Sequence, residues 1–149
     1  MGGFINISQN ARKMVFGGTF TAGNLQVSCE GGKLQILKEG AHRKFVSKLQ
    51  QVSYSGPFAQ ERKQTTLFVT ERAVFRAIDG ALELIEIAPG IDLERDVLAH
   101  MAFRPVISPD LKLMDERLFR PEPMGLDADM ASQCWPCHPR LAEFAERQR

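Results

Sequence analysis

Near the C-terminus, three side chains stand at a spacing that carries chemistry: Cys134, Cys137 and His138, within Cys134-Trp135-Pro136-Cys137-His138. A C-x-x-C-H run can hold haem covalently, its two thiols reaching the vinyl groups and its imidazole the iron. The Trp-Pro interior also fits redox-active C-x-P-C pairs, whose thiol pKa falls at a helix N-terminus. Each reading lacks its setting. Haem attachment takes place outside the cytoplasm, and the N-terminus has no basic, apolar, then small-residue signal order. Asp127-Ala128-Asp129-Met130-Ala131-Ser132 is not the strand that a thioredoxin-like pair follows. A tetrahedral zinc site would need a fourth ligand, which Cys29 or His42 could supply only by chance proximity. The run reads first as an incidental match. A small redox or metal- or haem-binding protein is the alternative.

A second group is built of glycine. Gly2-Gly3-Phe4 comes at the start, and Gly17-Gly18-Thr19-Phe20-Thr21-Ala22-Gly23-Asn24 follows the short apolar run Met14-Val15-Phe16. Glycine lets backbone approach a ligand closely, so a strand running into such a turn is a place to look for binding. His42, Arg43, Lys44 and Lys48 form a basic stretch that could meet a phosphate but reads as a solvated face. His100 reads as packing at a helix C-terminus, where partial negative charge favours it.

Composition narrows the classes. At 149 residues one domain with a real core is expected. Net charge is +1, from 19 basic and 18 acidic residues without a basic block, so neither nucleic acid nor membrane is expected as partner. No apolar run approaches the roughly 18 residues of a membrane span. Three cysteines, an odd number, make no disulfide framework. The chain reads as soluble and cytoplasmic.

The positioning elements follow from pattern. The first ten residues read as a loop leading into a short helix, with Ser8 or Asn10 as caps. Met14-Val15-Phe16 has the continuous apolar character of a strand covered on both faces. Leu25-Gln26-Val27-Ser28-Cys29 and Leu34-Gln35-Ile36-Leu37 alternate around Gly31-Gly32, a hairpin signal. Residues 65–70, 73–78 and 81–87 predict an antiparallel meander turning at Asp79-Gly80. Asp92 can cap a helix running to Met101, with Leu93, Val97, Leu98 and Met101 on one face. Pro105 ends it, and Val106-Ile107-Ser108-Pro109 reads as a short last strand before an amphipathic turn at 111–114. A boundary is expected near Gly125.

In this order the segments resemble the family I CoA-transferases, in the branch of acetate and propionate CoA-transferases and short-chain 3-oxoacid CoA-transferases. The likeness runs over residues 2–125 and is densest in residues 2–24, 64–78 and 86–101, with Phe103-Arg104-Pro105-Val106-Ile107 behind them. It implies an α/β fold over residues 1–125: part of a CoA-transferase-like open sheet, with a β-meander and C-terminal helices. Residues 126–149 would be an unrelated or disordered tail with one short helix, from about Pro139.

The resemblance also implies a reaction. CoA is exchanged between carboxylates through a glutamyl-CoA thioester, with acyl-CoA and a short-chain carboxylate as substrates and no permanently bound cofactor. Short-chain fatty acid and ketone body metabolism is the setting implied. In relatives a G-x-G-G-F loop precedes the strand; Gly2-Gly3-Phe4 match its end, and its first Gly has no counterpart. Gly2 and Gly3 would border the reacting thioester, and Thr21, Gly23 and Asn24 the CoA. The nucleophilic glutamate of relatives lies upstream of that loop, and no glutamate here matches its motif. A fragment or subunit, inactive alone, is therefore expected. Its partner would be the missing N-terminal portion or a homologous subunit, and without it the chain should oligomerise or aggregate.

Overall fold

The structure is a computed structural model that describes residues 2–132. The C-x-x-C-H run and the helix expected from about Pro139 lie outside the described residues. Its strands are β1 (Lys13–Gly17), β2 (Thr21–Ala22), β3 (Gln26–Glu30), β4 (Lys33–Lys38), β5 (His42–Arg43), β6 (Thr65–Val69), β7 (Ala73–Ile78), β8 (Ala81–Ile87) and β9 (Val106–Leu113). Its α-helices are α1 (Phe4–Asn10), α2 (Gly56–Glu61) and α3 (Leu126–Ser132).

Five strands form one mixed sheet in the order β1-β6-β7-β8-β9. Strands β6, β7 and β8 are the expected meander, and Ile78 pairs with Ala81 across the Asp79-Gly80 turn. The outer pairs, β1 with β6 and β8 with β9, are parallel. The β3–β4 hairpin also forms as read, and is docked by buried Leu34, whose N–H reaches Pro89 O at 2.8 Å. Phe20, Leu34, Phe75, Leu84, Val97 and Met101 belong to the core against one face of the meander. The fold is thus the α/β open sheet expected, with few helices.

Four local expectations are corrected. Ser8 and Asn10 lie inside α1 rather than capping it; Ser8 Oγ donates to Ile5 O, and Asn10 Nδ2 to Asn6 O. Strand β1 is covered on one face only. Phe16 stacks on Phe68 at 5.2 Å between ring centroids, whereas Val15, on the opposite face, stays 59% exposed. Residues 93–97 form a π-type turn and 98–100 a 3₁₀ turn, instead of one α-helix. The reason is a long-range contact: the Asp96 carbonyl, which an α-helix would offer to the N–H of His100, accepts from Arg72 Nη1 at 2.9 Å. The Asp92 cap is present, its Oδ1 accepting from Arg95 N–H at 2.8 Å. Finally β9 runs on to Leu113, absorbing the expected amphipathic turn. Pairing jumps from Ile107 opposite Leu84 to Lys112 opposite Glu86, so Pro109, which has no N–H to give, sits in an irregularity and not at a strand end.

Candidate functional site

The site is assembled at the carboxyl end of β1, the end at which parallel strands present ligand-binding loops in open α/β sheets. Chain direction does the first part. Helix α1 packs back along β1, bringing Phe4 to 6.2 Å from Phe16 between ring centroids. Gly2 and Gly3, just before Phe4, therefore sit beside the end of β1 that leads into residues 17–24. Both glycines are exposed, Gly2 with φ +52° and open space where a Cβ would lie.

Residues 17–24 divide into an exposed rim and a buried anchor. Gly17, Gly18, Thr19, Gly23 and Asn24 are exposed, while Phe20 and Thr21 are buried. Gly23 has φ +84° and Asn24 φ +62°, so the chain reverses through two consecutive left-handed residues. Of the sequence candidates, Gly23 and Asn24 thus offer backbone to an incoming group. Thr21 does not: its Oγ1 donates to Glu39 Oε1 and accepts from Gly40 N–H at 3.1 Å. Gly40 is required for that closure, since a Cβ there would fall 2.6 Å from Ala22 O.

Sequence reasoning missed what holds the anchor. Arg72 is fully buried, and its guanidinium donates Nη1 and Nη2 to the two oxygens of Glu39 at 2.8 and 3.0 Å. Its Nε donates to Glu71 Oε1 at 2.7 Å, and Glu71 Oε2 accepts the Phe20 N–H, also at 2.7 Å. The guanidinium carbon lies 4.8 Å from the Phe20 ring centroid. Burial alone would raise the Glu39 carboxyl and lower Arg72. The bonds from Arg72, Thr21 and Gly40, with the Arg72 charge, nevertheless hold Glu39 down at about 2, and Glu39 and Glu71 hold Arg72 above its ordinary value. His100 Nε2 stands 3.5 Å from Glu39 Oε2, so its neighbour is that carboxylate and not the end of the expected helix. The one sequence signal was Arg72 itself, a charge set directly against the apolar run Ala73-Val74-Phe75.

Beside this turn a cavity of about 340 Å³ is lined by Phe16, Gly17, Gly18, Thr19, Lys44 and Phe45, among others. Its size falls within the range of small-ligand clefts. Lys44 Nζ reaches across to Thr19 O at 2.6 Å and braces the rim, whereas Arg43 Nη2 reaches Ala99 O at 3.0 Å in the turn at residues 98–100. His42 is exposed on the short β2–β5 ladder.

The described carboxylates supply no ready nucleophile at this rim. Glu39, Glu71, Glu83, Glu94 and Glu116 each hold an arginine. Among the described residues, no group of three or more His, Cys, Asp or Glu could hold a metal ion. The alternative redox or metal reading gains no support from them. No described helix is long and apolar enough to cross a membrane.

Comparison with known proteins decides the lineage. The chain is 52% identical to the acetate CoA-transferase YdiF of Escherichia coli K12 over 124 residues, 83% of this chain. It carries a CoA-transferase segment. The caffeate CoA-transferase of Acetobacterium woodii is 50% identical over 129 residues, 87% of the chain. The E. coli O157:H7 acyl-CoA transferase YdiF, solved as a thioester complex with CoA, superposes with a TM-score of 0.81 over 83% of this chain, and its apoenzyme does so equally. The chain spans 23% and 24% of the length of these curated relatives. No family profile matches it.

Proposed function

We propose that this chain is the portion of a short-chain acyl-CoA:carboxylate CoA-transferase that borders coenzyme A, and that it is inactive until a nucleophilic carboxylate is supplied from outside these 149 residues. The observation that carries the reading is the agreement with YdiF, 52% identity and a TM-score of 0.81 to a CoA thioester complex. Coenzyme A is the substrate and no cofactor is bound permanently. The carboxylate comes from the portion of the relatives that this chain does not span, or from a homologous subunit, in the cytoplasm.

The chemistry sets what each side must contribute. A carboxylate is a weak nucleophile, so it must be held against the thioester while donors stabilise the oxyanion that forms. Exposed backbone at Gly2-Gly3 and at Gly23-Asn24 suits the second task and not the first. Glu39, Glu71, Glu83, Glu94 and Glu116 are held by arginines, and Glu39, at about 2, is a poor base as well. Acyl-CoA and a short-chain carboxylate such as acetate are the substrates this arrangement would serve.

Two measurements test the reading. Calorimetric titration of the chain with CoA is expected to give saturable binding, and no heat at millimolar CoA would overturn it. Acetyl-CoA exchange with labelled acetate is expected to be absent for the chain alone and to appear on adding a polypeptide that carries the remaining portion of a YdiF-like enzyme. Exchange by the chain alone would refute the division of labour.

A further inference from the structure

We infer that Glu39, Glu71 and Arg72 are positioning residues for the CoA-bordering turn, setting ligand affinity through the Phe20-Thr21 anchor without touching the ligand; this rests on the reading just given. The geometry has two arms that meet at one guanidinium. One runs from Arg72 Nε through Glu71 to the Phe20 N–H, with distances of 2.7 Å at both steps. The other runs from Arg72 Nη1 and Nη2 through Glu39 to the Thr21 hydroxyl, which in turn receives the Gly40 N–H. The two residues so gripped are consecutive, and they are the only buried ones in residues 17–24. A third contact, Arg72 Nη1 to Asp96 O at 2.9 Å, fixes the guanidinium to the turn at residues 93–97.

A device that served only the core would not need this form. Phe20 already packs at 4.8 Å from Phe45 and 6.3 Å from Phe75 between ring centroids, which secures its side chain. What packing leaves undefined is the backbone path between two glycine-rich ends, and the carboxylates act on backbone N–H and hydroxyl groups there. Burial makes the arrangement selective: with Arg72 fully enclosed, charge-assisted bonds have no water to replace them if the turn moves. An open turn is therefore a distinct state. Apparent ligand affinity scales with the fraction of molecules in which the turn is closed.

The test uses the full chain and compares wild type with Glu39→Gln, Glu71→Ala and Arg72→Lys. Amide hydrogen exchange is followed at Phe20 and in β6–β8, and CoA affinity is measured by calorimetry on the same samples. The expected result is about a tenfold or greater loss of affinity, the scale of one charge-assisted hydrogen bond, matched variant by variant by a loss of Phe20 protection that exceeds any loss in β6–β8. Arg72→Lys keeps the charge without the fork and should lose least, a graded response that loss of packing would not give. Loss of Phe20 protection with wild-type affinity would overturn the inference while leaving the CoA reading intact. So would affinity that falls only in step with β6–β8 protection. Absence of CoA binding by the wild-type chain would take down the CoA reading, and this inference with it.

Discussion

Arg72 and Glu39 meet as a two-pronged fork, 2.8 and 3.0 Å, across a sequence separation of 33 residues, with the guanidinium wholly removed from solvent. A charge in that position is tolerable only because its partners are present. Removing Arg72 leaves two carboxylates facing each other and the backbone they hold. Arg72→Met is expected to cost about 3–5 kcal/mol, the range for breaking a buried pair on one side. Adding Glu39→Gln to Arg72→Met should recover about 1 kcal/mol or more by removing the stranded charge. Urea denaturation of the four species checks this, and strictly additive losses would contradict the coupling.

The same pair sets an acid limit. Glu39 is held at about 2 against an ordinary 4.5, so its carboxylate binds a proton more weakly in the folded chain than in the unfolded one. Its contribution is present in full above about pH 5 and is lost as pH falls from there toward 2. Up to ~3 kcal/mol follows from that difference, as an upper figure for a group that keeps some solvent contact. Asp96 shifts downward too, through its bonds with Arg95, and adds to the same slope. Glu39→Gln should therefore lower stability at pH 7 and flatten its decline between pH 5 and 2. Parallel pH curves for variant and wild type would show that Glu39 does not carry the slope.

Gly40 and Gly80 make a matched pair for backbone effects. A Cβ on Gly40 would meet Ala22 O at 2.6 Å and Thr21 Oγ1 at 2.7 Å, so Gly40→Ala must part the chain beside β2. A loss of about 2–3 kcal/mol is expected, as for overpacking elsewhere. Gly80 has φ +77° and open space around it, so Gly80→Ala pays only the left-handed penalty, about 1 kcal/mol. Thermal melts rank the two, and a larger loss at Gly80 would reverse the argument.

The parts legible in the sequence were those built from neighbours in the chain. Alternation in residues 81–87 and the Asp79-Gly80 turn fixed β7–β8 locally, and Gly31-Gly32 did so for β3–β4. The glycine-rich turn was legible as well, because left-handed residues such as Gly23 and Asn24 leave a compositional mark. What escaped was long-range. The bond from the Thr21 hydroxyl to Glu39 has no local mark, and nothing within a window of ten residues pairs Glu39 with Arg72. The helix expected over 92–101 failed for the same reason, since a guanidinium from the β6–β7 connection takes the Asp96 carbonyl. Strand β1 misled differently: its apolar run implied cover on both faces, and among the described residues β6 is its only strand neighbour.

That open edge leads to the last prediction. Val15 is 59% exposed on β1 and Ile7 is 67% exposed on the helix before it, so the outer margin of the sheet combines unpaired backbone with apolar side chains. Such margins pair with other chains unless a charge or an irregularity blunts them. Concentration-dependent association of the isolated chain is expected in sedimentation velocity runs. Val15→Lys should weaken it about tenfold with unchanged circular dichroism, because the side chain points away from the core and its charge opposes edge pairing without altering β1–β6. A polypeptide carrying the remainder of a YdiF-like enzyme should suppress the association as well, by occupying the same margin. If the wild-type chain stays monomeric at about 100 μM, the β1 edge is not adhesive, and the need for a partner would rest on the missing carboxylate alone.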